Sequence, residues 1–197
     1  GYRDWAINIY KNISKKKKIK IFKTKKIPLK KIKKINPNYI LFYGWSWKVS
    51  SQLTKNYKCI MLHPSKLPNY AGGSPLQNQI IRNVKSSAVT LFRMNNSIDG
   101  GNIILQRKLS LKGNLSEILN NITTIGTDLT FKLLNSKYRE KKIVVKKRYK
   151  RLSPNNSEIT IEEIKNSTGR YLYNKIRMLQ DPYPNPYILT KDKKKLF

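Results

Sequence analysis

The stretch Cys59–Ile104 constrains the fold of this chain more than any other. An apolar run, Tyr57 to Leu62, leads directly into the only histidine, His63, and then into a loop holding Pro64, Pro68, Gly72, Gly73 and Pro75. A short apolar run bounded by such residues reads as a strand entering a turn. The pattern predicts a helix from Ser74, with the Ser74 hydroxyl as N-cap and Pro75 at the first helical position. Its apolar face is Leu76, Ile80, Ile81 and Val84. A strand over Ala88–Met94 follows, then the polar turn Asn95–Gly101, then a strand over Asn102–Leu109. On this reading His63 and Asp99 close strands at the same sheet edge. Asp4 is the only acid that precedes Asp99, so a carboxylate at this position stands out against the surrounding lysine. A histidine and a carboxylate at neighbouring strand ends suggest a proton-handling pair.

The pattern H-P-S-x-L-P-x-Y-x-G-x-x-P from His63 to Pro75, followed by S-x-D-x-G-x-I-I from Ser97 to Ile104, resembles the folate-dependent formyltransferases. In that family an Asn-x-His is followed by an Asp thirty-six positions after the His, and here 99 − 63 = 36. Two positions depart from the pattern. The family's Asn is Met61, which has no amide to bond a formyl oxygen, and the loop Arg is Ala71.

The resemblance implies transfer of a formyl group from 10-formyltetrahydrofolate to a primary amine, with a nucleotide-linked amino sugar as the first acceptor. The alternatives are a methionyl-tRNA formyltransferase, a formyltransferase-like protein that binds without catalysing, and a formyl-folate hydrolase. His63 would stabilise the developing oxyanion or shuttle the amine proton, and Asp99 would orient the imidazole. Tyr43, Gly44, Trp45, Ser46 and Trp47, with Ser97 and Ile98, are the expected folate contacts. Tyr70, Gly72, Gly73, Ser74 and Gln77 would face the acceptor, with the Gly72 and Gly73 backbone suited to a phosphate. No metal is expected, and homodimer formation is left open.

Composition sets the remaining bounds. A chain of 197 residues, 39% hydrophobic, can bury one core and a small appendage. The formal net charge of +32 invites a polyanion, yet the lysines are spread along the chain instead of gathered into one arginine-bearing stripe. Total charge therefore does not identify a binding surface. A single cysteine, Cys59, excludes an intramolecular disulfide, and no run approaches the roughly 18 apolar residues of a membrane span. A cytoplasmic, membrane-free setting is the expectation.

Along the chain, Trp5, Ile9 and Ile13 recur every four residues, predicting a helix capped by Asp4. A short strand at Ile19–Phe22 and a helix at Leu29–Ile35 follow, then an apolar strand, Tyr39–Tyr43, that ends in Gly44-Trp45-Ser46-Trp47. In open α/β sheets ligands bind beyond such strand ends, where glycine lets a flat ring approach. Helices are expected around Val49 and Leu53, along Leu115–Leu133, where apolar residues recur every three or four positions, and at Tyr171–Arg177. A basic strand is expected at Lys141–Tyr149. The segment from Lys150 through Pro184 resembles the post-catalytic part of the same family. The expected architecture is α/β: a doubly wound, mostly parallel sheet with helices on both faces, one strand short at its start. Residues 1–140 would form the catalytic domain and residues 141–197 a short C-terminal extension.

Overall fold

Strand β1 (Tyr39–Tyr43) and strand β2 (Lys58–His63) lie side by side in parallel, with Tyr39 opposite Lys58 and Tyr43 opposite Leu62. The computed structural model describes residues 1–197. After β2 the chain forms the two-residue strand β3 (Ala71–Gly72), and then β4 (Ser86–Arg93) and β5 (Ile103–Ser110). The central sheet has the order β1-β2-β4-β5. Side chains alternate across it as the period of two requires. Ile60, Leu62, Val89 and Leu91 face one layer, whereas Cys59 and Phe92 face the other.

On the first face sit α1 (Asp4–Ser14) and the long α5 (Leu115–Asn135), which pack on each other and on the sheet around a core of 23 buried residues. On the second face α2 (Leu29–Ile35) and α3 (Ser51–Asn56) bring Ile32 and Leu53 onto Phe42 and Cys59. The α/β class with helices on both faces is therefore as expected. The pairings within the sheet are mixed, because only β1–β2 is parallel while β2–β4 and β4–β5 are antiparallel. A parallel return needs a long crossover. The sequence between β4 and β5 is too short for one and closes a hairpin instead.

The outer edge of β1 is covered by a side chain. The Tyr10 hydroxyl on α1 donates to Leu41 O at 2.8 Å and accepts from Tyr43 N at 2.8 Å. One buried phenol thus pairs two main-chain groups that would otherwise be orphaned.

The chain from Lys141 onward belongs to the same body. Lys141 bridges Ile103, Ile143 and Val145 pack beside Leu67 and Phe92, and Met178 and Leu179 enter the main core. Within this part β6 (Arg148–Tyr149) pairs with β3, and a 3-10 turn (Pro154–Ser157), α6 (Ile161–Asn166) and α7 (Gly169–Met178) follow. A last hairpin joins β7 (Ile188–Leu189) and β8 (Lys195–Leu196).

Several local expectations are corrected. Residues 19–22 form no strand. Only Gly1 stands opposite them, through bonds to Phe22 O and from Thr24 N, and a ladder needs more than one partner residue. The basic strand shrinks from Lys141–Tyr149 to Arg148–Tyr149, the two residues for which β3 supplies a neighbour. Asp4 does not cap α1: Arg3 is the N-cap residue, and Asp4 in the first turn pairs with Lys23 at 3.2 Å.

Candidate active site

His63 is the last residue of β2 and Asp99 lies in the Asn95–Gly101 loop between β4 and β5. They do not close strands at one edge. Because β4 runs against β2, Arg93 at its end lies opposite Ile60, three residues before His63. The loop then folds back and brings the Asp99 carboxylate to His63, with Oδ2 3.6 Å from Nδ1. Both residues are buried, at 5% and 7% exposure, so their interaction is little screened by water.

Main-chain groups hold the pair. His63 Nε2 lies 3.0 Å from Tyr70 O. A carbonyl only accepts, so Nε2 carries the proton and Nδ1 is left as the nitrogen that faces Asp99. The Gly72 N–H donates to Asp99 Oδ2 at 2.7 Å. Asp99 itself has φ +52°, in the left-handed region that Asp tolerates better than most residues.

The pair lies in a cleft of about 570 Å³. Gly44, Trp45, Ser46 and Trp47 line it, as do Ser97 and Ile98, and so do Gly72, Gly73, Ser74 and Gln77. Met61 lines it too, from the position before Leu62. Arg3, Lys48, Arg148 and Arg151 also line the cleft and Asp99 is the single acid among the lining residues, so its field is positive.

Several expected contacts take other roles. Tyr43 is fully buried: its ring stacks on Tyr10 at 5.4 Å and its hydroxyl meets Thr130 Oγ1 at 2.8 Å, on the α5 side of the sheet. It is a core residue, because the strand's alternation turns position 43 away from the cleft and position 42 towards α3. Burial pushes both the Tyr10 and Tyr43 phenols above their ordinary range. Tyr70 does not line the cleft with its side chain, which stacks on Tyr149 at 4.9 Å, and it serves through its carbonyl.

The Gly72 and Gly73 N–H groups are already taken, by Asp99 and by Tyr149 O, so neither is free for a phosphate. These glycines allow β6 to come close. A Cβ on Gly73 would stand 2.4 Å from Arg151 Cα, and one on Gly72 2.4 Å from Tyr149 O. Ser74 has φ +46° and makes no side-chain cap; its Oγ accepts from Leu152 N at 3.0 Å, and α4 (Pro75–Ile80) starts without it.

Two buried indole N–H donors on cleft residues have no protein acceptor, Trp5 Nε1 and Trp45 Nε1. Trp45 packs edge-on against Phe42 and Trp47, at 5.7 and 5.0 Å, giving that end of the cleft flat aromatic walls.

Comparison with known proteins fits this geometry. Residues 9–123 match the family model described as "Formyl transferase". The chain belongs to the formyl transferase family. A methionyl-tRNA formyltransferase of Rickettsia prowazekii is 35% identical over 107 residues, which is 52% of this chain and 35% of that protein. The chain thus matches about a third of that relative's length. A methionyl-tRNA formyltransferase structure from Clostridium thermocellum superposes with a TM-score of 0.86 at 30% identity, covering 96% of this chain and 85% of that one. A sugar N-formyltransferase from a Shewanella species gives 0.68 at 22% identity, over 81% and 68%, and shares the fold.

The formyl transferase motif pointed to His63 and Asp99 but not to what holds them. Tyr70 O and the Gly72 N–H carry no signal in sequence, because main-chain groups are common to every residue. Arg148 was hidden within a run of lysines.

Proposed function

We propose that this chain catalyses transfer of a formyl group from 10-formyltetrahydrofolate to a primary amine. The observation that carries the proposal is the buried His63–Asp99 pair, 3.6 Å apart on a cationic cleft. The aromatic end of the cleft, where Trp45 stands edge-on to Phe42 and Trp47, suits the donor's flat ring. Trp45, Trp47, Ser97 and Ile98 would hold the donor, which when bound supplies an activated formyl group.

The chain's own part is proton handling and positioning. An amine that attacks the formyl carbon must lose a proton, and the tetrahydrofolate nitrogen that would leave as the donor's C–N bond breaks must gain one. With Nε2–H given to Tyr70 O, the available base is Nδ1, and a proton gained there faces the Asp99 carboxylate at once. Asp99 in turn is kept in position by the Gly72 N–H. Negative charge developing on the formyl oxygen finds no side-chain amide at position 61, so this site lacks the donor that the family's Asn supplies.

As acceptor we favour the amine of an aminoacyl-tRNA. Relatives 35% and 30% identical are methionyl-tRNA formyltransferases, and the cations lining the cleft suit an RNA end. A nucleotide-linked amino sugar is the second reading: its phosphates would meet the same cations, and the shared fold of the sugar enzyme supports it no further.

Formylation of Met-tRNA and of nucleotide amino sugars with 10-formyltetrahydrofolate, by wild type and by His63→Ala, tests the proposal. Turnover of one acceptor that His63→Ala reduces by at least about a hundredfold supports it. Turnover that survives His63→Ala overturns the assignment of the pair. An oxyanion donor is worth about a hundredfold in rate, so Met61→Asn is expected to raise turnover if the site lacks that donor.

A further inference from the structure

We infer that Arg148, on β6, is a positioning residue that sets where Asp99 stands relative to His63. Its guanidinium donates Nε–H to Ile98 O at 2.9 Å and Nη2–H to Ser97 Oγ at 2.7 Å, the two residues immediately before Asp99. The loop's own bonds, Ser97 N to Asn95 Oδ1 and Asn95 Nδ2 to Gly100 O, fix its shape but travel with it. Its ties to the rest of the molecule near Asp99 are two: Gly72 N–H to the carboxylate, and Arg148 to the segment that carries it. Both come from one paired unit, since β3 lies beside β6 with Ala71 opposite Arg148 and Gly72 opposite Tyr149. Strand β3 therefore fixes the carboxylate and β6 fixes its backbone. Asp99 has positive φ, so this backbone shape needs such support.

The chemistry calls for arginine. A guanidinium presents Nε–H and Nη–H in one rigid plane and can serve a carbonyl and a hydroxyl together, whereas an ammonium is a point donor on a flexible stem. Arg148 is exposed and sits in a basic run, where an ordinary cation would be solvated. Here it is bonded twice to one loop, 50 and 51 residues away.

The inference rests on the proposed function for what the pair does, but its test reads the pair directly. His63 is the only histidine, so its imidazole ¹⁵N resonances need no assignment by mutation. Asp99→Asn gives the reference change. Arg148→Gln is expected to move the His63 resonances in the same direction, and Arg148→Lys to move them less. Arg107→Gln, which breaks the exposed 2.7 Å pair with Asp128, should leave them in place.

In formyl transfer Arg148→Gln should lower kcat about tenfold to a hundredfold, as expected of a small misplacement, beyond any rise in KM from the loss of one cleft cation. Imidazole signals that stay at their wild-type positions in folded Arg148→Gln overturn the inference, whatever happens to kcat. If wild type transfers no formyl group, the proposed function fails and the imidazole signals still decide the role of Arg148.

Discussion

Two tyrosine hydroxyls stacked in the core have unequal consequences for stability. Tyr10 pairs both Leu41 O and Tyr43 N, so Tyr10→Phe leaves a buried acceptor and a buried donor unmatched, at about 1–3 kcal/mol each. Tyr43 bonds only Thr130 Oγ1, which keeps its own bond to Gly126 O, so Tyr43→Phe should cost about 1 kcal/mol. Urea denaturation of the two variants is expected to rank Tyr10→Phe well below Tyr43→Phe. The reverse order would mean that the edge of β1 is paired in some other way. Sequence periodicity identified Tyr43 as part of a buried strand but could not say which face it took. Its ring went to the core, while the neighbouring Gly44–Trp47 turn reached the cleft.

At the scale of elements, the site depends on two very short strands. Neither β3 nor β6 would hold by itself: each has two residues, and they are joined by the Ala71–Arg148 and Gly72–Tyr149 pairing and by Gly73 N to Tyr149 O at 2.8 Å. The contact is close enough that only glycine fits at position 73. Gly73→Ala sets a methyl against the Arg151 backbone and should push residues 148–152 away from the cleft, costing about 1–3 kcal/mol as overpacking does. Hydrogen exchange at the Gly73 amide should then rise markedly while the amides of β4 and β5 stay protected. Uniform loss of protection would show instead that this strand pair is integral to the whole fold. The run Gly72-Gly73 was legible as a turn. That its purpose is to admit a strand from residue 148 was not, because nothing local in either segment identifies the other.

At the scale of the whole molecule, the formal charge of +32 is spread along the chain, and the cleft carries four of its cations. If the acceptor is an RNA, binding must release counterions, and KM for it should rise at least about tenfold between 50 and 200 mM salt. A small nucleotide sugar makes fewer phosphate contacts and should show a much shallower slope. A KM for aminoacyl-tRNA that is indifferent to salt would exclude an electrostatic mode of binding. By itself the sequence determined the helices α1, α2, α5 and α7, the strand-forming runs of the central sheet, and the His63–Asp99 spacing with the family it marks. Each of these is written in local periodicity or in a fixed interval along the chain. Only the tertiary structure decided that β2 and β4 run antiparallel, that the Asp99 loop must fold back, that Tyr70 O and the Gly72 N–H hold the pair, and that Arg148 braces it. The period shows which side chains share a face, but which layer that face meets, and the partner, direction and register, are settled by contacts between residues far apart in the chain.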